Sequence, residues 1–480
     1  MKRLFAALFV IVLVLASCGK KPDAVTTEQG MAEATGEAEY KLPEFDFEEH
    51  EFYILSVGRR TNTNDFLYND EAPSVLDLAV ERRNKAVEEQ YNIRIATEQI
   101  DTTANYQSPE AYRELVREAT AGDYSYDMCV IPGYDVCQLA CQGYLTDLNT
   151  LPYFNAENEW YDQKANETFT FGDTLYYTTG DYGICLMNQT YCIAFNKDLA
   201  AQYAIENPYE LVRERKWTLE KMHQIAKEVS DDTDGDGVTD VYGIYYWVDA
   251  AYGIVNAAGE RSVVLDPNTL NMQLTLNTET TFNVLEYFAN MVLDPEISLK
   301  YQHNSAAKEY IDVFSGNRAL FFMTTIGKLG EFRDMETDYG ILPYTLCGPN
   351  TEYSNTVAPF YMTCMCVPML VEDEERTSAV IEAIGYYSND YIIPAYYEKT
   401  LNGQYTRDEE SGEMLDIIFD TRAYDLGYVF QPSQLPENML FMIRDGVFDW
   451  SSRYARLEIS AQTLLNYYSK FYRQTIGMEE

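Results

Sequence analysis

Basic residues are scarce in this sequence. Its 480 residues include 35 Lys and Arg against 77 Asp and Glu, which gives a formal net charge of −42. A protein that binds nucleic acid needs clustered Lys and Arg to replace the counterions of the phosphates, and the sequence has no such cluster. The charge balance therefore argues against a nucleic-acid partner and favours neutral or cationic ligands.

Catalytic motifs are equally scarce. The histidines are His50, His223 and His303, and none belongs to a recognisable triad or metal motif. The sequence has no Gly-x-Ser-x-Gly elbow and no phosphate-binding loop with a lysine. We therefore expect a protein that is not an enzyme. Glycoside hydrolysis by a pair of carboxylates, in a calcium-dependent enzyme, is the alternative that the many acidic residues leave open.

Long apolar runs are absent beyond the start of the chain. Residues 4–16 follow two basic residues and are too few to span a bilayer, which is typical of a secretory signal. They lead into "LASC", which resembles the lipobox of bacterial lipoproteins. We predict a signal peptide over residues 1–17, lipidation of Cys18 and a flexible tether over residues 18–45. The predicted location is the extracellular face of the bacterial cell membrane.

Cysteines beyond the start of the chain lie mostly in apolar stretches such as "YMTCMCVP". They are Cys129, Cys137, Cys141, Cys185, Cys192, Cys347, Cys364 and Cys366. Their even number leaves a disulfide framework open, but cysteine in apolar surroundings behaves as a small hydrophobic residue. We expect free, buried thiols, which suit an anaerobic, Gram-positive exterior.

The residues after position 50 alternate between strand and helix patterns. "EFYILSV", "YNIRIAT" and "YDMCVIP" have the composition of strands, and apolar residues recur at helical spacing between them. This order predicts a doubly wound α/β sheet, which binds ligands beyond the carboxyl ends of its strands. Arg59 follows the first strand, and Tyr134 and Asp135 follow the third, so all three are candidate ligand residues.

A second α/β pattern begins near residue 190. The strands "TYCIAFN", "YGIYYWV" and "NRALFFMT" alternate with helical patterns such as "LEKMHQIAKEVS". No long linker separates the two patterns. They predict two lobes that face one cleft.

The stretch "DDTDGDGVTDVYG" at residues 231–243 has the spacing of a calcium loop. Its ligand positions hold Asp232, Asp234, Asp236, the backbone carbonyl of Val238, and Asp240. Gly237 stands where the loop turns sharply, but Gly243 replaces the final bidentate glutamate. We predict a bound Ca²⁺ with a structural role, and the alternative is an acidic turn without metal.

Three stretches in this order behind the lipobox carry a family resemblance. They are "YDMCVIPGYDVCQLACQGYLTDLNTLPYF", "YCIAFNKDLAAQYAIENPYELVRERKWTLEKMHQIAKEVSDDTDGDGVTDVYGI" and "GNRALFFMTTIGKLGEFRDMETDYGILPY". The chain resembles family 1 extracellular solute-binding proteins, the lipoprotein receptors of sugar-type bacterial ABC importers. The resemblance implies a class II periplasmic-binding-protein-like fold with hinge closure. It places lobe 1 at 46–188 plus 355–425 and lobe 2 at 189–354 plus 426–480.

The resemblance also implies a function and a site. The expected protein is a monomer that captures a carbohydrate, in particular an oligosaccharide, and delivers it to the membrane subunits of an ABC permease. Presentation of the solute to a membrane sensor kinase is the alternative. Sugars need aromatic faces and polar partners for their hydroxyls, and each aromatic residue has a core role as its alternative. The candidate ligand residues are Arg59, Tyr134, Asp135, Asp181, Tyr182, Tyr246, Trp247, Thr324, Thr325 and Tyr361.

Overall fold

The computed structural model describes residues 40–58, 65–69, 71–101, 108–301, 309–332, 335–360, 362–399 and 408–478. The predicted signal peptide, Cys18, Arg59 and Tyr361 lie outside these residues. Leu42–Glu480 cluster as one compact unit, in which the described residues form two main sheets. None of the helices in the described ranges combines the length and the apolarity that crossing a membrane requires.

Strands and helices alternate through most of the chain. The strands are β1 (His50–Gly58), β2 (Ile93–Asp101), β3 (Met128–Pro132), β4 (Tyr177–Thr178), β5 (Tyr191–Asn196), β6 (Tyr242–Tyr246), β7 (Val263–Leu265), β8 (Met272–Leu274), β9 (Ser298–Lys300), β10 (Ala319–Thr325), β11 (Tyr339–Leu342), β12 (Asn355–Thr356), β13 (Thr363–Cys366) and β14 (Arg422–Ala423). The helices are α1 (Val75–Tyr91), α2 (Pro109–Ala121), α3 (Gly133–Cys141), α4 (Gln163–Phe169), α5 (Ile184–Asn188), α6 (Lys197–Gln202), α7 (Pro208–Arg213), α8 (Leu219–Val229), α9 (Ala250–Ala257), α10 (Glu279–Val292), α11 (Glu309–Ser315), α12 (Ile326–Leu329), α13 (Glu374–Lys399), α14 (Glu409–Asp420), α15 (Leu426–Phe430), α16 (Glu437–Asp445) and α17 (Trp450–Thr475).

The first sheet has the strand order β2-β1-β3-β13-β4. Strands β2, β1 and β3 are parallel, while β13 runs antiparallel to β3 and β4. Helix α1, between β1 and β2, begins with a capping box between Ser74 and Asp77 and buries one apolar stripe. These elements confirm the strand and helix patterns predicted for this part of the chain.

The second sheet has the strand order β11-β5-β10-β6-β9. Strands β10, β6 and β9 are parallel, and β5 runs antiparallel to β10 and β11. One face of this sheet packs on α8, α9 and α10 around Trp217 and Phe288, and the other face packs on α13 and α14. The two sheets flanked by helices confirm the predicted α/β class.

Three chain segments cross between the sheets close to one another. Thr190 pairs with Val357 beside β12, and β12 pairs in parallel with β14. The side chain of Asn355 accepts a hydrogen bond from the backbone N–H of Tyr344 at 2.8 Å and donates one to the Thr421 hydroxyl at 2.7 Å. These short paired strands form the hinge region.

Two C-terminal segments pack on other sheets than the predicted lobe boundaries indicate. The prediction placed residues 355–425 with the first sheet, but α14 packs on β11, where the Ser411 hydroxyl accepts a hydrogen bond from the Ile341 N–H at 3.2 Å. The prediction placed residues 426–480 with the second sheet, but the end of α17 packs on α3 and β8 and joins the core of the first sheet through Tyr472. Helix α17 is long enough to serve both cores, because Ala461 packs in the core of the second sheet and Tyr472 in that of the first.

Candidate ligand site at the carboxyl ends of the strands

The carboxyl ends of the parallel strands meet between the two sheets. Helix α3 follows β3, and its second residue, Tyr134, packs on the apolar cluster of the second sheet. On the other side, β6 leads directly into Trp247, and Tyr191 begins β5 beside the end of β10. Open α/β sheets bind ligands at such edges.

Aromatic rings line this edge. The ring centroids of Tyr191 and Trp247 are 6.0 Å apart, and those of Trp247 and Phe360 are 5.7 Å apart with nearly perpendicular planes. Trp247 and Tyr134 are half-buried, whereas Tyr191 is 1% exposed. The half-buried rings at this edge are suited to contact with the apolar face of a ligand.

Two carboxylates lie beside these rings. Asp249 precedes α9 but makes no side-chain hydrogen bond to cap it, and Glu437 is the first residue of α16, which packs on α9. Burial, together with the nearby charge of Glu437, raises the pKa of Asp249 to about 7. Burial also raises the pKa of Glu437 to about 7.

Several polar atoms at this edge have no protein partner among the described residues. They are Oε2 of Glu437, Oε1 of Gln431 and the hydroxyl of Tyr191, and all three atoms are buried. The Gln431 amide donates to the Tyr428 carbonyl at 2.8 Å and reaches the Tyr134 hydroxyl at 3.4 Å. Leaving a buried polar atom unpaired costs about 1–3 kcal/mol, so such atoms gathered at one edge indicate a place for ligand atoms.

The buried phenol of Tyr252, on α9, lies near residues of α3 and α16. Burial raises its pKa, and the neighbouring Glu437, Tyr134 and Asp249 act in the same direction. Residues from three separate parts of the chain therefore share one acidic, aromatic environment. We call Tyr134, Tyr191, Trp247, Asp249, Tyr252, Gln431 and Glu437 the cleft cluster.

The backbone before α16 is strained. Gln431, Ser433 and Gln434 have φ angles of 47°, 51° and 56°, in the left-handed region that non-glycine residues rarely adopt. Each such residue costs on the order of 1–3 kcal/mol and is maintained only where the surrounding structure requires it. The strained turn directs Gln431 toward Tyr134 and leads into Glu437, so it helps to build the cleft cluster.

Sequence reasoning identified only part of this cluster. Tyr134 and Trp247 were predicted, but Tyr191, Asp249 and Glu437 were not. Asp249 lies two residues after Trp247 at the same strand end, so the strand-end rule could have found it. Glu437 has no comparable local signal, because only the packing of α16 on α9 brings it to the site.

Two predicted site residues in the first lobe have structural partners. Asp135 is 6% exposed and accepts a hydrogen bond from the Ser108 N–H at 2.6 Å, which holds the start of α2, and burial raises its pKa to about 6. Tyr182 is fully buried, and its hydroxyl accepts a hydrogen bond from the Met365 N–H at 2.7 Å. The structure therefore places both side chains in the core of the first sheet rather than at the cleft.

Other predicted residues lie near the strand ends without joining the cluster. Asp181 accepts a hydrogen bond from the Asn389 amide at 2.8 Å, and burial raises its pKa to about 6. Thr324, Thr325 and Tyr246 end β10 and β6 at the expected edge, but each is at most 7% exposed. Their side chains pack inside the second half of the molecule.

The acidic loop forms a compact carboxylate group. Oxygens of Asp232, Asp234 and Asp240 lie within 4.8 Å of one another, while Asp236 is not part of this group. Asp232 accepts hydrogen bonds from the N–H groups of Gly235 and Gly237, both at 2.8 Å. Both glycines have positive φ angles, 77° and 87°, so the turn requires them. Val238 is 60% exposed.

A separate groove with a volume of 1140 Å³ lies at the hinge region. It is lined by parts of residues 156–172, 259–270, 350–354 and 420–426, and none of the cleft cluster lines it. In its polar wall, Asp162 accepts a hydrogen bond from the Tyr424 hydroxyl at 2.8 Å and lies 2.8 Å from Nε of Arg422, whereas the buried Ser354 hydroxyl has no partner among the described residues. The cleft cluster is the better candidate for ligand binding because it combines unpaired buried polar atoms with half-buried aromatic rings at the strand ends.

Comparison with known proteins supports the fold. No curated protein sequence matches the chain. An ABC substrate-binding protein from Listeria monocytogenes, in complex with cycloalternan, has a TM-score of 0.53 at 14% identity over 90% of this chain and 100% of the other. A cyclic α-maltosyl-1,6-maltose binding protein from Arthrobacter globiformis gives 0.59 at 12% identity, over 87% and 99% of the two chains.

A third solved structure, the galacto-N-biose-/lacto-N-biose I-binding protein of a Bifidobacterium longum ABC transporter, gives a TM-score of 0.58 at 9% identity, over 88% and 98% of the two chains. At these identities the likeness establishes the two-lobe fold. Residues 83–337, more than half of the chain, match the family described as "Bacterial extracellular solute-binding protein". The resemblance stated from the sequence is thus confirmed, and the chain belongs to the bacterial extracellular solute-binding protein family.

Proposed function

We propose that the chain is the receptor of an ABC importer, which captures a carbohydrate at the cleft cluster and delivers it to a membrane permease. The observation that carries this proposal is the group of half-buried rings and unpaired polar atoms at the carboxyl ends of both sheets. The structural neighbours whose descriptions name cycloalternan, cyclic maltosyl-maltose and lacto-N-biose support a carbohydrate as the solute class.

The chemistry of the cluster suits an oligosaccharide. The apolar C–H face of a sugar ring stacks on Trp247 or Tyr134, while its hydroxyls donate to the carboxylates of Asp249 and Glu437. The Tyr191 hydroxyl and the Gln431 amide oxygen supply further hydrogen-bonding groups. Closure at the hinge strands β12 and β14 would then bring the two sheets together on the ligand.

We propose a non-catalytic role for the same carboxylates. A glycosidase divides the work between an ionised and a protonated carboxyl group, whose environments push the two pKa values apart. Burial raises the pKa values of both Asp249 and Glu437, and the solved structures of similar fold are described as binding proteins, which supports binding without hydrolysis.

Anchoring and partners complete the proposal. Cys18 carries the lipid, residues 18–45 connect it to the folded unit, and the receptor works as a monomer at the outer face of the cell membrane. Delivery to a permease is favoured over presentation to a sensor kinase because the structural neighbours are described as ABC transport proteins.

Calcium is proposed as a structural ion in the acidic loop. The three grouped carboxylates of Asp232, Asp234 and Asp240 repel one another unless a cation neutralises them. The loop connects α8 to β6, which leads into Trp247. A bound ion would therefore hold the start of the strand that carries part of the cleft cluster.

Calorimetric titration of residues 19–480 with maltotriose, cycloalternan and lacto-N-biose tests the carbohydrate proposal. We expect at least one sugar to bind, and Trp247→Ala to weaken its binding at least about tenfold, because buried aromatic anchors dominate binding energy. Tyr124→Ala is the matched control, since Tyr124 is 56% exposed and lies outside the cleft cluster. Sugar binding that Trp247→Ala leaves unchanged would contradict the proposed site, and cleavage of the sugar during incubation would contradict the non-catalytic role.

A further inference from the structure

The two carboxylates of the cleft cluster have no basic partner. Within the described ranges, neither Asp249 nor Glu437 forms an ion pair with a lysine or an arginine, and the charge that acts on Asp249 is that of Glu437. Oε2 of Glu437 is buried without a hydrogen-bond partner, and Asp249 makes no capping bond to α9. Two like charges therefore share one half-buried site without a basic side chain from the described ranges to neutralise them.

Two other buried carboxylates of this protein, Asp65 and Asp425, accept hydrogen bonds from several donors. Asp65 accepts hydrogen bonds from the Thr363 hydroxyl at 2.6 Å and the Cys185 N–H at 3.0 Å. Asp425 accepts from the N–H groups of Ser262 and Gly427, at 2.6 and 2.8 Å. At these two carboxylates the fold supplies the donors, whereas Oε2 of Glu437 has no partner and Asp249 caps no helix, so a ligand can complete both groups.

The pair is surrounded by acceptors, by phenol hydroxyls that can also accept, and by aromatic faces. Oε1 of Gln431 can only accept a hydrogen bond, and the Tyr191 hydroxyl, in a residue that is 1% exposed, has no partner. The rings of Tyr134 and Trp247 adjoin the same space and can attract a cation through their faces. An ammonium group, which has three donors and no acceptor, matches this set of neighbours.

We propose that the ligand is an amino sugar whose ammonium group lies between Asp249 and Glu437, an inference that rests on the receptor function proposed above. With a neutral sugar bound, the two carboxylates would have to take up a proton, because hydroxyls donate hydrogen bonds but cancel no charge. An ammonium group cancels one charge and donates to both carboxylates. The formal net charge of −42 attracts such a cation to the protein before it reaches the site.

The test compares sugars that differ only at carbon 2. Glucose, galactose and the β-1,4-linked glucose trimer are each titrated as the 2-hydroxyl, the 2-amino and the 2-acetamido form, with spermidine as a cation that is not a sugar. The proteins are the native chain over residues 19–480, the isosteric double variant Asp249→Asn/Glu437→Gln and the control Asp181→Asn. Asp181 has its own amide partner, Asn389, outside the cleft cluster.

We expect one amino form to bind at least about tenfold more tightly than both of its neutral counterparts, since hydrogen bonds to charged groups are about twice as strong as neutral ones. The double variant should lose this preference, so that it binds the amino and the neutral forms with similar affinity, and Asp181→Asn should leave the preference intact. Thermal melting of each variant confirms that it is folded.

The remaining outcomes overturn one proposal or both. Neutral forms that bind as tightly as the amino form would overturn the amino-sugar inference and leave the carbohydrate receptor in place. Spermidine binding that the double variant abolishes, without binding of any sugar, would support the cation site and overturn the carbohydrate. Binding by none of these compounds would overturn both.

Discussion

Two pairs of buried ionisable side chains in this protein are built in opposite ways. Behind the first sheet, Asp65 and Arg83 share a closed network: the Arg83 guanidinium donates to the Asp65 carbonyl at 2.6 Å and lies 4.3 Å from the Phe66 ring centre. At the cleft, Asp249 and Glu437 have the same sign of charge and lack basic partners among the described residues. The first arrangement holds the fold together, and the second leaves polar groups for a ligand.

The difference appears in the pKa values. Burial lowers the pKa of Arg83 to about 9, but the neighbouring Asp65 opposes this and keeps the guanidinium charged at neutral pH. At the cleft, burial and mutual repulsion act together, and the pKa of Asp249 rises to about 7. Burial also raises the pKa of Asp65, but its hydrogen bonds to Thr363 and Cys185 and the charge of Arg83 oppose this shift, whereas at the cleft the charge of Glu437 adds to the shift of Asp249.

Breaking the structural pair is expected to have the largest effect. Arg83→Met leaves Asp65 buried without its cation and removes the donor to Ser388, so we expect a loss of about 3–5 kcal/mol in the free energy of unfolding. Urea denaturation measures it. Arg82→Met is the matched control, because Arg82 is exposed on the same helix and should cost little. Equal effects of the two changes would remove the basis of the comparison.

Helix α1, which carries Arg83 of the closed pair, could be predicted from the sequence, but the cleft pair could not. The apolar stripe of α1, with Leu76, Val80 and Val87, repeats at helical spacing, so local periodicity predicted the element. Asp249 and Glu437 lie on helices that only tertiary packing brings together. No local pattern reports such a contact.

The sequence also did not determine how deeply each predicted ligand side chain is buried. Tyr134 and Tyr182 both follow strands of the first sheet, and both were predicted to contact the ligand. The structure buries Tyr182 completely against β13, whereas Tyr134 extends from α3 to the second sheet. Open α/β sheets bind ligands beyond the carboxyl ends of their strands, and this rule identifies the edge of the sheet. The packing of neighbouring strands then determines which side chain reaches the cleft.

The cleft pair should make stability depend on pH. Both carboxyl groups have higher pKa values in the folded protein than in the unfolded chain, so their contribution is present at low pH and is lost as the pH rises from about 4 to about 7. Among the surrounding ionisable groups, burial raises the pKa values of the phenols of Tyr191, Tyr252 and Tyr344, which stay neutral in this range.

The double variant Asp249→Asn/Glu437→Gln should therefore gain stability relative to the native chain as the pH rises through this window, by on the order of 1–3 kcal/mol. Chemical denaturation at pH 4, 5.5 and 7 measures the difference. Asp181→Asn is the control, because Asp181 lies outside the pair and burial raises its pKa to about 6. A difference between double variant and native chain that is independent of pH would show that the pair titrates normally.

The acidic loop gives the smallest expected effect and adds a group of surface carboxylates to the comparison of the two buried pairs. Its grouped carboxylates are exposed or half-buried rather than enclosed, so water already offsets much of their repulsion. A calcium ion at tenfold excess over its dissociation constant would stabilise the folded chain by about 1.4 kcal/mol. Thermal melting with CaCl₂ and with MgCl₂ measures this, and Asp232→Asn/Asp240→Asn should abolish the shift.

Asp266→Asn is the matched control for the loop. Asp266 also closes an exposed turn, by accepting hydrogen bonds from the N–H groups of Asn268 and Thr269 at 2.9 and 3.0 Å, but it belongs to no carboxylate group. It should leave the calcium shift intact. If calcium stabilises the native chain and the double loop variant equally, the ion binds elsewhere. If it stabilises neither, the loop is an acidic turn whose hydrogen bonds to Gly235 and Gly237 are sufficient to hold its shape.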